Sequence, residues 1–300
     1  MSLQSLLNSP LGVGSALALG RLIPPSIGYR LASLAARIIA SRKGSNIVRS
    51  LRANQWVVSG QHLTSEQLDY ITLETFRHTA VCLYDLYHNL NRPKEIARMI
   101  KLSDKLRNTL DESLKSKRGT VFIAPHLSNF DLAGRAFALH GYNIMVLSYP
   151  QPPGGYRWQN RMRKQYGIDI VPMSTESLRE GKERLRSGGA ILTGMDRPLP
   201  SSNYAPKFFG FPAPVPVTYV RLGIMTNSTI VVAACIGIKP GGYLVDCSDP
   251  IELIPHADIK TEIEINAEKA LREAEKFIHS RPEQWSMFYP VWPWALEKAP

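Results

Sequence analysis

Thr120-Val-Phe-Ile-Ala-Pro-His-Leu-Ser-Asn-Phe-Asp-Leu-Ala-Gly134 is the stretch on which the reading of this chain turns. Val121–Ala124 is short, uncharged and partly β-branched, which predicts a strand buried on both faces. Pro125 lacks the amide donor that a sheet ladder needs and ends the strand. Ser128 is placed to cap a helix through Phe130, Leu132, Ala133, Ala136 and Leu139. His126 is thereby expected in the crossover at the carboxyl end of a parallel strand, where open α/β sheets hold ligands. Asp131 follows after four intervening residues. A histidine oriented by a carboxylate serves as a general base. Two other readings stay open on spacing alone. Ser128-x-x-Asp131 also fits a capping box, and His126 also fits a hydrogen-bonded structural residue.

Outward from this stretch, the carboxyl-terminal part alternates strands and helices, which predicts an α/β fold with a mostly parallel central sheet flanked by helices. Strands are expected at Val121–Ala124, Asn143–Ser148, Asp169–Pro172, Ala190–Thr193, Thr229–Ile238 and Tyr243–Cys247. Helices are expected at Asn129–His140, Arg157–Tyr166, Thr175–Ser187, Val217–Met225 and Asp258–Ser280. Pro198–Pro216 is too rich in proline for regular structure and reads as a loop. The amino-terminal part, residues 1–118, is a helical region with helices at Ser26–Ala40, Glu66–Asn89, from Pro93, and Ser103–Ser116. Residues 119–300 form the α/β core, and because no linker signal separates the two parts they are expected to make one integrated domain.

Ser26–Ala40 carries Ile27, Leu31, Leu34 and Ile38 on one stripe and Arg30 and Arg37 on another, with Arg42 and Lys43 following. That pattern fits a helix in a membrane interface and equally an ordinary surface helix with its stripe on the core. The apolar patch Leu11–Leu19 is too short for the ~18–20 residues that span a bilayer, so no membrane-spanning segment is expected.

Thirty-six Lys and Arg against 25 Asp and Glu give a net charge of +11, which attracts anionic surfaces or phosphorylated ligands. The 44% apolar content fits a folded chain. Three widely spaced cysteines give neither a disulfide framework nor a zinc spacing, and no metal site or bound cofactor is called for. Signatures of serine hydrolases, phosphate-loop enzymes, dinucleotide binders and zinc helices are missing. Basic residues are not interleaved with aromatics, so nucleic acid is not an expected partner.

Further candidate residues lie downstream. Arg157, Arg161, Arg163 and Lys164 form a basic cluster suited to phosphate or to a solvated helix end. Asp196 closes the strand Ala190–Thr193 on the same sheet edge as His126. There it is placed to tune the histidine, to bind a sugar hydroxyl, or to pair with Arg197 in a turn. Phe208 and Phe209 either line a lipid channel or plug the core.

Together these segments resemble the bacterial lipid A lauroyl/myristoyl acyltransferase family. The resemblance runs through His126-Leu-Ser-Asn-Phe-Asp131, Arg163-x3-Gly167, Asp196, Lys207-Phe-Phe-Gly210-x-Pro212 and Pro282-Glu-Gln-Trp285, most of residues 119–290. In wording the motifs are more similar to the phosphatidylinositol mannoside acyltransferases. After Trp285 the chain reads Ser-Met-Phe-Tyr-Pro-Val-Trp292, where lipid A enzymes usually continue with basic residues, so fold and reaction carry over better than substrate. The resemblance implies a membrane-associated O-acyltransferase moving a fatty acyl chain from acyl-CoA or acyl carrier protein to a hydroxyl of a glycolipid acceptor. It implies His126 as base, Asp131 as its orienting partner, and Arg163 and Asp196 as residues that shape the site. Asn129 and Arg197 are added as substrate-binding candidates, with Phe208 and Phe209 for the acyl chain. The expected location is the cytoplasmic face of the cell membrane, held peripherally on an anionic surface. A lipid hydrolase or thioesterase using the same dyad, or a non-catalytic basic membrane-binding protein, is the alternative.

Overall fold

The structure is a computed structural model that describes residues 20–150, 154–165 and 167–300, with side chains for all of these except 154–156, 158 and 165. The apolar patch Leu11–Leu19 lies outside the described residues.

After the helical residues 20–22, the described part runs through α1 (Pro25–Ala40), α2 (Asn46–Val58), α3 (Ser65–Asn89) and α4 (Pro93–Met99). Local chemistry sets several of the ends. Pro25 opens α1, where its missing amide costs nothing. Thr64 and Gln67 form a reciprocal capping box at the start of α3. Strand β1 (Ile100–Leu102) and helix α5 (Asp104–Lys115) follow, with Ser103 accepting from the Leu106 amide as cap.

Next come β2 (Thr120–Ala124), α6 (Phe130–Leu139), β3 (Ile144–Ser148), α7 (Gly154–Gln165), β4 (Asp169–Pro172), α8 (Thr175–Arg186) and β5 (Ala190–Gly194). A small hairpin, β6 (Lys207–Phe208) and β7 (Phe211–Pro212), precedes α9 (Thr218–Thr226). Strands β8 (Thr229–Lys239) and β9 (Gly242–Cys247), then α10 (Ile259–Ser280), a 3-10 turn (Pro282–Gln284) and α11 (Ala295–Lys298) complete the chain.

The main sheet has the order β1-β9-β8-β2-β5-β3-β4. Only the β8–β9 pair is antiparallel, so the expected α/β class with a mostly parallel sheet is what forms. Side chains alternate between two apolar layers. Val121 and Ile123 join one layer with Ala53 of α2, Leu185 of α8, Leu222 of α9 and Leu271 of α10. Phe122 joins the other with Ile96 of α4, Leu106 of α5 and Leu132 of α6. A third cluster, with Ala36, Val48, Leu51 and Phe76, ties α1, α2 and α3 together.

Three elements go beyond the sequence expectation. Helix α2 has an apolar stripe of Val48, Leu51 and Val58 that Asn54 and Gln55 interrupt at buried positions. The Asn54 amide donates to the carbonyls of Met287 (2.9 Å) and Tyr289 (2.8 Å), and Gln55 donates to that of Pro282 (2.7 Å). Its polar residues thus grip the carboxyl-terminal tail instead of facing water. Strand β1 has three residues, too few to show a period. The β6–β7 hairpin turns through Phe209 and Gly210, both at positive φ (49° and 79°), the geometry that two-residue hairpin loops require.

The start of β2 depends on a close approach. A methyl carbon added to Gly119 would lie 2.3 Å from the carbonyl oxygen of Leu185, while the Gly119 carbonyl accepts from the Thr229 amide. Gly119→Ala is expected to cost about 1–3 kcal/mol through overpacking. A lowered thermal unfolding midpoint checks this, and an unchanged midpoint would show that the β2–α8 junction yields without cost.

Candidate active site

The parallel register of β2 and β5 builds the site. Ala124, the last residue of β2, pairs with Gly194, the last residue of β5. His126 and Asp196 each lie two residues beyond their strand, so the two loops deliver them side by side at the carboxyl edge of the sheet. His126 Nδ1 lies 2.6 Å from Asp196 Oδ1. The backbone amide of His126 donates to Asp196 Oδ2 at 2.8 Å. The indole Nε1–H of Trp285 donates to the same oxygen at 2.7 Å.

Asp196 has no exposed surface. Burial by itself pushes its carboxyl up, but the neighbouring imidazole and the hydrogen bonds from His126 and Trp285 hold it below the usual carboxylate range. An ionised Asp196 only accepts hydrogen bonds. The proton of neutral His126 is therefore assigned to Nδ1, which leaves the Nε2 lone pair for the cavity.

The tail is pinned to this loop. Leu127 bridges to Trp285 in antiparallel fashion, the Ser128 amide donates to the Gln284 carbonyl, and the Ser286 amide donates to that of His126. From the other side, His78 Nε2 of α3 meets Ser128 Oγ at 2.9 Å. Desolvation lowers the His78 pKa to about 4, which keeps it neutral.

The expected pairing of His126 with Asp131 is replaced by the pairing with Asp196. Asp131 sits in the first turn of α6 and faces α7, where Arg163 pairs with its two carboxylate oxygens at 2.7 and 2.8 Å. Arg163 also donates to Asn160 Oδ1 at 2.7 Å. Nor does Ser128-x-x-Asp131 form a capping box. Ser128 is in the left-handed region (φ 51°), and Asn129 caps α6 by accepting from the Leu132 amide. Asn129 is buried and its amide donates to the Cys82 carbonyl, so it braces the loop.

Phe208 and Phe209 do not line the cavity. Phe208 is fully buried, with its ring centroid 6.0 Å from that of Trp285 and 5.5 Å from that of Trp292. The pair backs the indole that holds Asp196. Arg197 does not pair with Asp196. Its guanidinium carbon lies 4.5 Å from the Tyr149 ring centroid and 4.2 Å from that of Tyr289.

A cavity of about 250 Å³ opens beside His126. Its lining is mostly apolar, with Phe137, Ile144, Val146 and Ile170 among it, and Asp131, Arg163 and Arg197 bring charge to the same cavity. Its floor follows β3 from Ser148 back to Ile144, about 13 Å at 3.3 Å per residue. Gly194 sits against the imidazole, since a methyl carbon there would lie 3.3 Å from His126 Cε1.

The pattern of bacterial lipid A biosynthesis acyltransferases matches residues 8–293. The chain belongs to this family. Phosphatidylinositol mannoside acyltransferase from Mycobacterium tuberculosis (strain ATCC 25618 / H37Rv) is 25% identical over 192 residues, covering 61% of this chain and 57% of that protein. The protein of the same name from strain CDC 1551 / Oshkosh matches to the same extent. The match thus spans less than two thirds of these relatives' length.

Trp285 is the site residue whose role sequence reasoning missed. Its motif was visible, but nothing in it shows that the indole reaches an acid 89 positions away. Trp285→Phe removes that donor from a buried carboxylate, which costs about 1.5–3 kcal/mol, in addition to a packing loss that does not vary with pH. Because the folded Asp196 titrates below its unfolded value of ~3.9, its contribution is complete above that pH and is lost as pH falls through the folded value. Urea unfolding is expected to show the deficit of Trp285→Phe largest at neutral pH and narrowing below pH ~4. A deficit independent of pH would mean that the indole acts by packing alone.

Proposed function

We propose that the chain is a membrane-associated O-acyltransferase in which His126 is the general base and Asp196 orients it. One observation carries this reading. A histidine with Nδ1 tied to a buried carboxylate lines a cavity whose wall is mostly apolar and also carries Asp131, Arg163 and Arg197. Among the described residues no serine or cysteine hydrogen-bonds the His126 ring, which favours direct transfer over an acyl-enzyme.

In the proposed reaction, His126 Nε2 takes the proton of an acceptor hydroxyl as its oxygen attacks the thioester carbonyl. The tetrahedral oxyanion collapses and expels the thiolate, which recovers the proton from Nε2. An ester and a free thiol result. Asp196 stabilises the imidazolium formed in between and keeps the ring in the correct tautomer. The apolar wall of the cavity takes the acyl chain. The names of the relatives support a glycolipid acceptor of the phosphatidylinositol mannoside class; acyl-CoA or acyl carrier protein is the proposed donor. Asp131 and Arg163 are assigned to shaping the cavity, since each neutralises the other.

With acyl-CoA and a glycolipid acceptor, His126→Ala is expected to abolish transfer. Asp196→Asn is expected to lower kcat by about 10²–10⁴ through loss of the tautomer, and Asp131→Asn to have a smaller effect. Steady-state kinetics checks the order. Free fatty acid formed at the same rate with or without acceptor would instead establish a hydrolase.

Membrane attachment is assigned to α1. Gly28, Ala32 and Ala36 are the buried residues of this helix, and a methyl carbon on Gly28 would lie 2.2 Å from the Tyr84 ring of α3, so its small size lets the helices approach. Ile27, Leu31, Leu34 and Ile38 are left exposed on a separate stripe, with Arg30 and Arg37 beside it. Among the described residues no helix is long and apolar enough to cross a membrane, so the stripe is proposed to lie in the interface. Flotation with anionic liposomes is expected to recover the parent chain and to lose a Leu31→Glu/Leu34→Glu variant. Equal recovery would remove α1 from the membrane contact.

A further inference from the structure

The cavity carries a charge that the proposed chemistry does not use. Of the acids lining it, Asp131 pairs with Arg163 and Asp169 pairs with Arg184 (3.0 Å). Asp196, behind it, is taken by His126 and Trp285. Arg197 lines the same cavity and, among the described residues, has neither a carboxylate nor a hydrogen-bonding partner. Its contacts are with two aromatic rings, Tyr149 and Tyr289.

A guanidinium held against two rings is a particular kind of cation. The rings attract it electrostatically and displace water from its surface. Its in-plane N–H groups stay available, and their fork matches two oxygens of one phosphate. Both rings stand on anchored backbone. Tyr149 directly follows the end of β3, and the Tyr289 carbonyl accepts from Asn54 of α2. Both tyrosines remain more than a third exposed (36% and 37%), so the clamp stands at the cavity mouth. Arg197 adjoins Asp196 in the chain, which keeps it next to the imidazole. A fixed, unneutralised fork of this kind binds an anion without the cost of ordering a free side chain.

We propose that Arg197, clamped by Tyr149 and Tyr289, is a phosphate-binding site that positions the phosphate of a substrate entering beside His126. The identity of that substrate rests on the acyl-transfer reading; the site itself does not. Two sources share the chemistry: the phosphopantetheine-type phosphate of a thioester donor, and the phosphodiester of an acceptor headgroup.

Equilibrium binding separates them and requires no turnover. Titration calorimetry of the full chain with palmitoyl-CoA and with phosphate-free S-palmitoyl-pantetheine reads the donor arm. Glycerophosphoinositol against myo-inositol reads the acceptor arm. Arg197→Gln is expected to weaken one phosphate-bearing ligand by about tenfold or more, to spare its phosphate-free counterpart, and to keep the parent's melting temperature. Loss on palmitoyl-CoA assigns the donor phosphate, and loss on glycerophosphoinositol assigns the acceptor phosphate. Arg197→Lys is expected to fall short as well, because an ammonium offers no planar fork. Tyr289→Leu is expected to lose most of the same increment and Tyr289→Phe to regain it. Unchanged affinity of Arg197→Gln for both phosphate-bearing ligands, or equal losses on the phosphate-free ones, would overturn the proposal.

Discussion

A carboxylate with no contact to water holds this site together. Asp196 accepts from the imidazole, from the backbone amide of the same histidine, and from an indole at the far end of the chain. A buried carboxylate left unpaired is expensive, so each donor is needed for the fold as well as for the chemistry. Because two of the three donors belong to His126, the arrangement fixes both the position of its backbone and the rotation of its ring. The parallel register of β2 and β5 makes this possible at no extra structural cost, since it brings equal-length extensions of neighbouring strands to one edge.

The rest of the molecule supports that arrangement from three sides. Asn54 and Gln55 of α2 hold the tail that carries Trp285, and Phe208 and Trp292 pack around the indole. His78 of α3 steadies the left-handed Ser128, which lets Asn129, one residue later, begin α6. A buried acid on α3 then links the site to α1. Asp85 accepts from Tyr29 of α1 at 2.8 Å, from Tyr243 of β9, and from the Gly241 amide in the β8–β9 turn. The helix with the exposed leucines is therefore tied to the end of β8, which runs parallel to β2 and finishes at the same edge as His126. An interfacial α1 and a site working on lipids would in this way share one side of the protein.

The strand–helix alternation was legible because each buried strand is a short apolar run between turn signals, and β2 through β5 lie within a residue or two of where the pattern puts them. Helix α2 was not legible, since its core-facing Asn54 and Gln55 serve distant carbonyls and interrupt the apolar stripe of Val48, Leu51 and Val58. At the site, His126 was legible from its place after a strand-ending proline. Its carboxylate partner was legible only in part, as one of three readings of Asp196 at the same sheet edge. Sequence spacing favours Asp131, a near neighbour, whereas the sheet register selects Asp196, 70 positions away. Spacing along a chain reports contacts within one element, and this contact lies between two. Phe208 and Phe209 are assigned to the acyl chain on sequence, and that assignment fails because Trp285 and Trp292 pack against them in the core.

The central claim is that Asp196, not Asp131, sets the state of His126. Nitrogen-15 NMR of histidine-labelled protein reads this directly at neutral pH, in the parent and in the Asp131→Asn and Asp196→Asn variants. The account predicts a His126 ring protonated at Nδ1 with a bare Nε2 in the parent, retained in Asp131→Asn and lost to mixed tautomers in Asp196→Asn. A His126 signal that keeps this tautomer in Asp196→Asn and loses it in Asp131→Asn would contradict the account.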